Sequence, residues 1–101
     1  METGKYKNYL NEIRNLSILI KQKKTFKEPN EKYKLNNLIL NKCKFIHKFS
    51  LELFDDKTVQ WWQFAWSLLL AVDMDIDCGE AYYIMRRKKR KYKSFYMYCL
   101  A

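Results

Sequence analysis

The sequence predicts a mainly α-helical domain of four helices, with one short β-hairpin between the third and the fourth. Three observations predict it. Two glycines and one proline in 101 residues leave few places for tight turns. Apolar residues recur at helical spacing along most of the chain. The period changes to strict alternation at Asp73 to Cys78, beside Gly79. A chain of this length is a single domain, residues 1–101, with a modest core and no room for a deep cavity.

The first helix is expected over residues 4–24. Tyr6, Leu10, Ile13, Ser17 and Ile20 share a face, and Leu16 and Leu19 widen it. Lys21, Lys23 and Lys24 close it, where cations oppose the negative end of the helix dipole. Thr25 to Glu31 reads as a linker broken at Pro29, with Asn30 able to cap the next helix. The second helix, residues 31–54, carries Leu35, Leu38, Ile39, Cys43, Ile46, Phe49, Ser50 and Leu53 as one stripe. Asp55-Asp56 breaks it and supplies a cap for a third helix over residues 57–72. That helix buries Val59, Trp62, Ala65, Trp66 and Leu69. Trp61 and Leu68 widen the face, which predicts a helix sandwiched between others.

Next, Met74, Ile76 and Cys78 alternate with Asp73, Asp75 and Asp77, and a β-favouring Ala-Tyr-Tyr-Ile-Met follows Gly79-Glu80. Period two around a glycine predicts the hairpin, residues 74–85. A basic helix over residues 87–99 ends the chain, with Tyr92, Phe95, Tyr96 and Cys99 on one face.

Charge narrows the function. The net charge is +9, and it is segregated: residues 1–50 carry +8, residues 51–85 carry −6 and residues 86–101 carry +7. Such a balance predicts a polyanionic partner, nucleic acid first and an acidic membrane surface second. The first fifteen residues lack an apolar core, so no secretory leader is expected. The longest apolar stretch, around Trp61 to Val72, is too short to span a bilayer. Three scattered cysteines read as reduced thiols.

Chemistry beyond binding finds little footing. Asp73-x-Asp75-x-Asp77 resembles the start of a calcium loop, but Gly79 stands seventh instead of sixth and Ile84 holds the twelfth position. Cys43, His47, Cys78 and Cys99 contain the residue types of a zinc site but no Cys-x-x-Cys pair. With one histidine, no glycine-rich phosphate loop and no nucleophile elbow, no enzyme and no cofactor is expected. The tryptophans read as core by their spacing, and Tyr92 as the aromatic best placed to stack on a base.

The basic run Arg86, Arg87, Lys88, Lys89, Arg90, Lys91, Tyr92, Lys93 is the strongest signal, with seven cations in eight residues. Held on a folded helix, it would meet phosphates in a fixed geometry.

The order of elements resembles a known family. Ser50-Leu51-Glu52-Leu53-Phe54-Asp55-Asp56-Lys57-Thr58, an apolar helix, Gly79-Glu80-Ala81-Tyr82-Tyr83-Ile84 and a basic helix succeed one another. This is similar to the universal family of the seventh protein of the small ribosomal subunit, across residues 33–99. The resemblance implies an rRNA-binding protein of the 3′ domain in the subunit head, near the tRNA exit side, with neighbouring small-subunit proteins as partners. It implies rRNA contacts for Lys42, Lys44 and Arg86 to Arg90, and Lys48, Lys91, Tyr92 and Lys93 complete the expected RNA-binding set. Lysine (16) outnumbers arginine (4), and Asn, Ile, Tyr and Phe abound, as in an AT-rich genome. With the resemblance, that implies a mitochondrial ribosome. Two other readings stay open. One is a phage or viral interaction protein that uses the acidic Leu51 to Glu80 surface against a host nucleic-acid-binding protein. The other is a basic membrane-surface protein of matrix type, in a cytoplasmic or virus-associated setting.

Overall fold

The computed structural model describes residues 3–53 and 60–101. Among them are five helices: α1 (Thr3–Thr25), α2 (Pro29–Leu53), α3 (Trp61–Met74), α4 (Cys78–Tyr92) and α5 (Phe95–Leu100). The helical class holds, and the described residues contain no strand. The Asp55-Asp56 cap and Val59 lie outside the described residues.

α1 and α2 follow their apolar stripes. Tyr9, Ile13 and Leu16 are fully buried from α1, and Ile39, Cys43 and Ile46 from α2. Leu38 departs from the expected stripe and is exposed. The linker is also shorter than expected, because Pro29 starts α2 instead of breaking the chain. At the first helical position the proline ring presets φ, and its missing N–H costs no hydrogen bond. The helix ladder opens with Lys32 N–H donating to the Glu28 carbonyl at 3.1 Å.

The two helices pack antiparallel, with two polar ties. Lys42 Nζ reaches Glu12 Oε2 at 2.6 Å. Ser50 Oγ lies 2.7 Å from the Ile46 carbonyl and 2.8 Å from Tyr9 Oη. Burial pushes the Tyr9 phenol up to about 12.

α3 is the centre of the molecule. Six consecutive residues, Ala65 to Leu70, are buried, so the helix has neighbours on every side, as its sequence predicts. The Phe64 ring stacks on Tyr9 of α1, and Trp61 stacks on His47 of α2. On the opposite side runs α4, antiparallel to α3 and docked through the fully buried Ala81 and Met85. α5 wedges Phe95 and Cys99 into the core, with Tyr98 against Trp66. Lys23 of α1 donates its ammonium to the Leu100 carbonyl and ties that end down.

The hairpin expected over residues 74–85 is a turn followed by a helix. Asp75 adopts the left-handed conformation (φ 53°) and ends α3, its N–H bonding the Ala71 carbonyl. Asp77 then caps α4, accepting from Gly79 N–H at 2.9 Å. The alternation of Asp73, Asp75 and Asp77 thus marks a C-cap and an N-cap two residues apart. Ala81 and Met85, one helical turn apart, bury against α3 and override the β propensity of Tyr82-Tyr83-Ile84.

The basic helix expected over residues 87–99 is likewise two elements. Lys93 stands at φ 65° and closes α4 through Lys89, and Ser94 caps α5 by accepting from Met97 N–H at 3.1 Å. The basic run is therefore the last two turns of α4, and Phe95, Tyr96 and Cys99 belong to a second helix.

Candidate nucleic-acid interface

α4 presents its cations on a rigid scaffold. Ala81 and Met85 set its inner face, and positions 86, 87, 89, 90 and 91 point outward at helical spacing. Lys89, Arg90 and Lys91 also sit in the last turn, where the helix dipole favours positive charge. Among the described residues, ion pairs form at Lys21–Asp73, Lys34–Glu31 and Lys42–Glu12. None involves Arg86 to Lys93. Six of the seven cations in this run are exposed, Lys88 is half-buried, and among the described residues no carboxylate forms an ion pair with them.

These cations divide between two sides of the helix. Arg86, Arg87, Lys89 and Arg90 share a groove of about 910 Å³ with Trp62, Gln63, Tyr82, Tyr83 and Met85. Among the described residues no carboxylate lines it. The Lys89 ammonium sits 4.6 Å from the centre of the Trp62 ring, within cation–π range. Tyr82 and Tyr83 are both exposed, with their rings edge to face at 6.2 Å. Lys93 joins Lys89 around a smaller hollow walled by Trp61, Trp62 and Tyr96. Lys88 turns to the other side and lies 5.4 Å from the Tyr98 ring.

The α2 cations behave differently. Lys42 is held by Glu12 and is only partly accessible. Lys44 and Lys48 are exposed and one turn apart, on the side of α2 that carries His47. Through the His47–Trp61 stack, with centroids 4.1 Å apart, that side borders the hollow of Lys89 and Lys93.

Tyr92, expected to stack on a base, is committed to the fold. Its ring meets Tyr98 edge-on at 5.3 Å, with Lys91 5.2 Å from it. The tryptophans also divide. Trp66 is fully buried, whereas Trp61 and Trp62 are only partly covered. Trp62, Tyr82 and Tyr83 are the aromatic residues that sequence reasoning missed. The available signal was spacing: with the hairpin read as helix, Tyr82, Arg86 and Lys89 fall on one stripe of α4.

The residues considered for zinc are dispersed. Cys43 and Cys99 are buried together and Cys78 is exposed at the start of α4. The Cys99 hydrogen bond with Cys43, and burial, push the Cys99 thiol up. Among the described residues no three His, Cys, Asp or Glu side chains gather closely enough to hold a metal ion. No helix among them is long and apolar enough to cross a membrane. Compared with family models, with curated proteins and with solved structures, the chain matches none.

Proposed function

We propose that this protein binds structured RNA as part of a ribonucleoprotein, through the basic face of α4. One observation carries the reading. Seven cations within eight residues stand on α4 and its C-cap, held by the buried inner face of the helix, and none has an acidic partner among the described residues. The mechanism is electrostatic. Each lysine or arginine that meets a phosphate releases condensed counterions, and the rigid helix sets the spacing between contacts. Folded RNA is then recognised by shape and backbone more than by base edges.

Ribosomal RNA of the small subunit, in a mitochondrial ribosome, is the narrower form of this proposal. Its support is the order of helices and the basic helix. The resemblance that suggested it also implied a hairpin where the chain has the start of α4, so the basic face supports the reading more strongly than the resemblance does.

The test is salt-dependent RNA binding. Affinity for a structured RNA is expected to fall about a thousandfold between about 50 and 200 mM salt, as for some six phosphate contacts. The combined change Arg86→Gln, Arg87→Gln, Lys89→Gln and Arg90→Gln is expected to lower the logarithmic salt slope by about 3. The control pair Lys44→Gln and Lys48→Gln is expected to lower it by less than half as much. Unchanged RNA affinity in the fourfold variant would overturn the assignment.

A further inference from the structure

We infer that the groove between α3 and α4 is a stacking site for an unpaired nucleobase, so that the RNA partner carries a single-stranded segment at this point. The inference rests on the proposed RNA binding and deepens it. The basic face alone explains attraction to any phosphate backbone, paired or not. It does not explain why two exposed tyrosines and a partly covered tryptophan line the groove beside it.

The placement of those rings is specific. Trp62 is partly covered, Tyr82 is 37% exposed and Tyr83 is 66% exposed, and all three line one groove with Arg86, Arg87, Lys89 and Arg90. Aromatic faces between cations are the two components by which proteins hold single strands. The rings take the bases, and the charges track the backbone. A duplex uses only the second component, because its bases are already stacked and paired. Gln63, in the same wall, adds an amide with both a donor and an acceptor for a base edge.

Charge complementarity selects the occupant. Among the described residues the groove offers four cations and no carboxylate, which suits a phosphate on either side of the base. Lys89 supplies the exchange step. Its ammonium covers the Trp62 face at 4.6 Å in the free protein. An incoming base displaces it from the ring, and the freed ammonium turns to the adjacent phosphate. Base stacking exceeds an exposed cation–π contact, so the exchange runs forward.

The experiment compares a single-stranded oligouridine with a blunt RNA duplex of equal length, using fluorescence anisotropy and the full chain. The test variant is Tyr82→Leu with Tyr83→Leu, which keeps apolar bulk and removes the aromatic faces at exposed positions. Circular dichroism establishes that it folds. Single-strand affinity is expected to fall about tenfold or more, as for one lost stacking contact, with duplex affinity held within about twofold. Equal loss for both RNAs, or no loss, overturns the stacking site while leaving RNA binding by α4 in place. A wild-type protein that binds neither RNA at low salt, but binds vesicles of anionic lipid, overturns both readings together. A second variant, Lys89→Gln, is expected to weaken both RNAs, and no change in either overturns the exchange step.

Discussion

Both halves of this molecule are rich in cations, and they put them to different uses. In the α1–α2 half, charge and polarity tie helices together: Lys42 closes on Glu12, and Tyr9 on Ser50. In the α3–α5 half the cations of α4 turn outward. The fold there is held by aromatic and aliphatic packing, and Arg86 to Lys93 have no acidic partner among the described residues. A lysine count alone does not distinguish the two. What separates the paired cations from the α4 run is a carboxylate within reach, which Lys21, Lys34 and Lys42 have and, among the described residues, none of Arg86 to Lys93 has. A cation that is already paired contributes modestly to stability, about 1 kcal/mol or less when partly exposed, and has little left for a partner. An unpaired cation on a fixed helix keeps its full attraction.

The largest test of this contrast strikes the helix that both halves share. Trp66→Ala empties the centre of α3 and is expected to cost roughly 3–5 kcal/mol of stability, measured by denaturant unfolding. Trp62→Ala, at the groove edge, is expected to cost about 1–2 kcal/mol, because its ring is only partly buried. Equal costs would mean that Trp62 is core and the groove is closed in solution.

Alkaline pH separates the halves next. Burial raises Tyr9 from 10.0 to about 12, so the fold stabilises the neutral phenol. That contribution is fully present below pH 10 and is lost as pH rises through about 12. A shift of this size corresponds to about 2–3 kcal/mol, and Tyr9→Phe is expected to flatten this part of the pH–stability curve. Tyr98, in the other half, is raised to about 12 by burial first and the Asp73 charge second, so it acts in the same direction. Tyrosinate absorbance during titration reports both. If all eight tyrosines ionise together near pH 10 in the folded protein, Tyr9 is not buried.

Much of the fold was legible in the sequence. The apolar stripes of α1 and α2 read correctly except at Leu38, because each helix buries one face against the rest of the fold and leaves the other to solvent, which keeps a 3.6-residue period. The sandwiched position of α3 followed from its near-continuous apolar run. The hairpin failed because a left-handed C-cap and an aspartate N-cap two residues apart imitate strand alternation. The spacing Asp77-x-x-Glu80 was the competing signal, since it matches a helix start. The break at Ser94 failed for a related reason. Tyr92, Phe95, Tyr96 and Cys99 keep helical spacing across a cap, and only the serine, a favoured N-cap residue, marks the boundary. Of the site, the charged residues were legible and the aromatic wall was not. Reading Tyr82-Tyr83 as strand hid their helical register with Arg86 and Lys89, and partial exposure of Trp62 is a tertiary property that no local pattern encodes.

Lys93 sets stability and affinity against each other at one position. A side chain in the left-handed conformation is strained relative to glycine by up to about 1 kcal/mol, yet this residue closes α4 and borders the hollow of Trp61 and Trp62. Lys93→Gly is therefore expected to raise the unfolding midpoint slightly while weakening RNA binding by about one phosphate contact. The easiest route to a sturdier protein at this helix end is also a route to a poorer ligand for RNA.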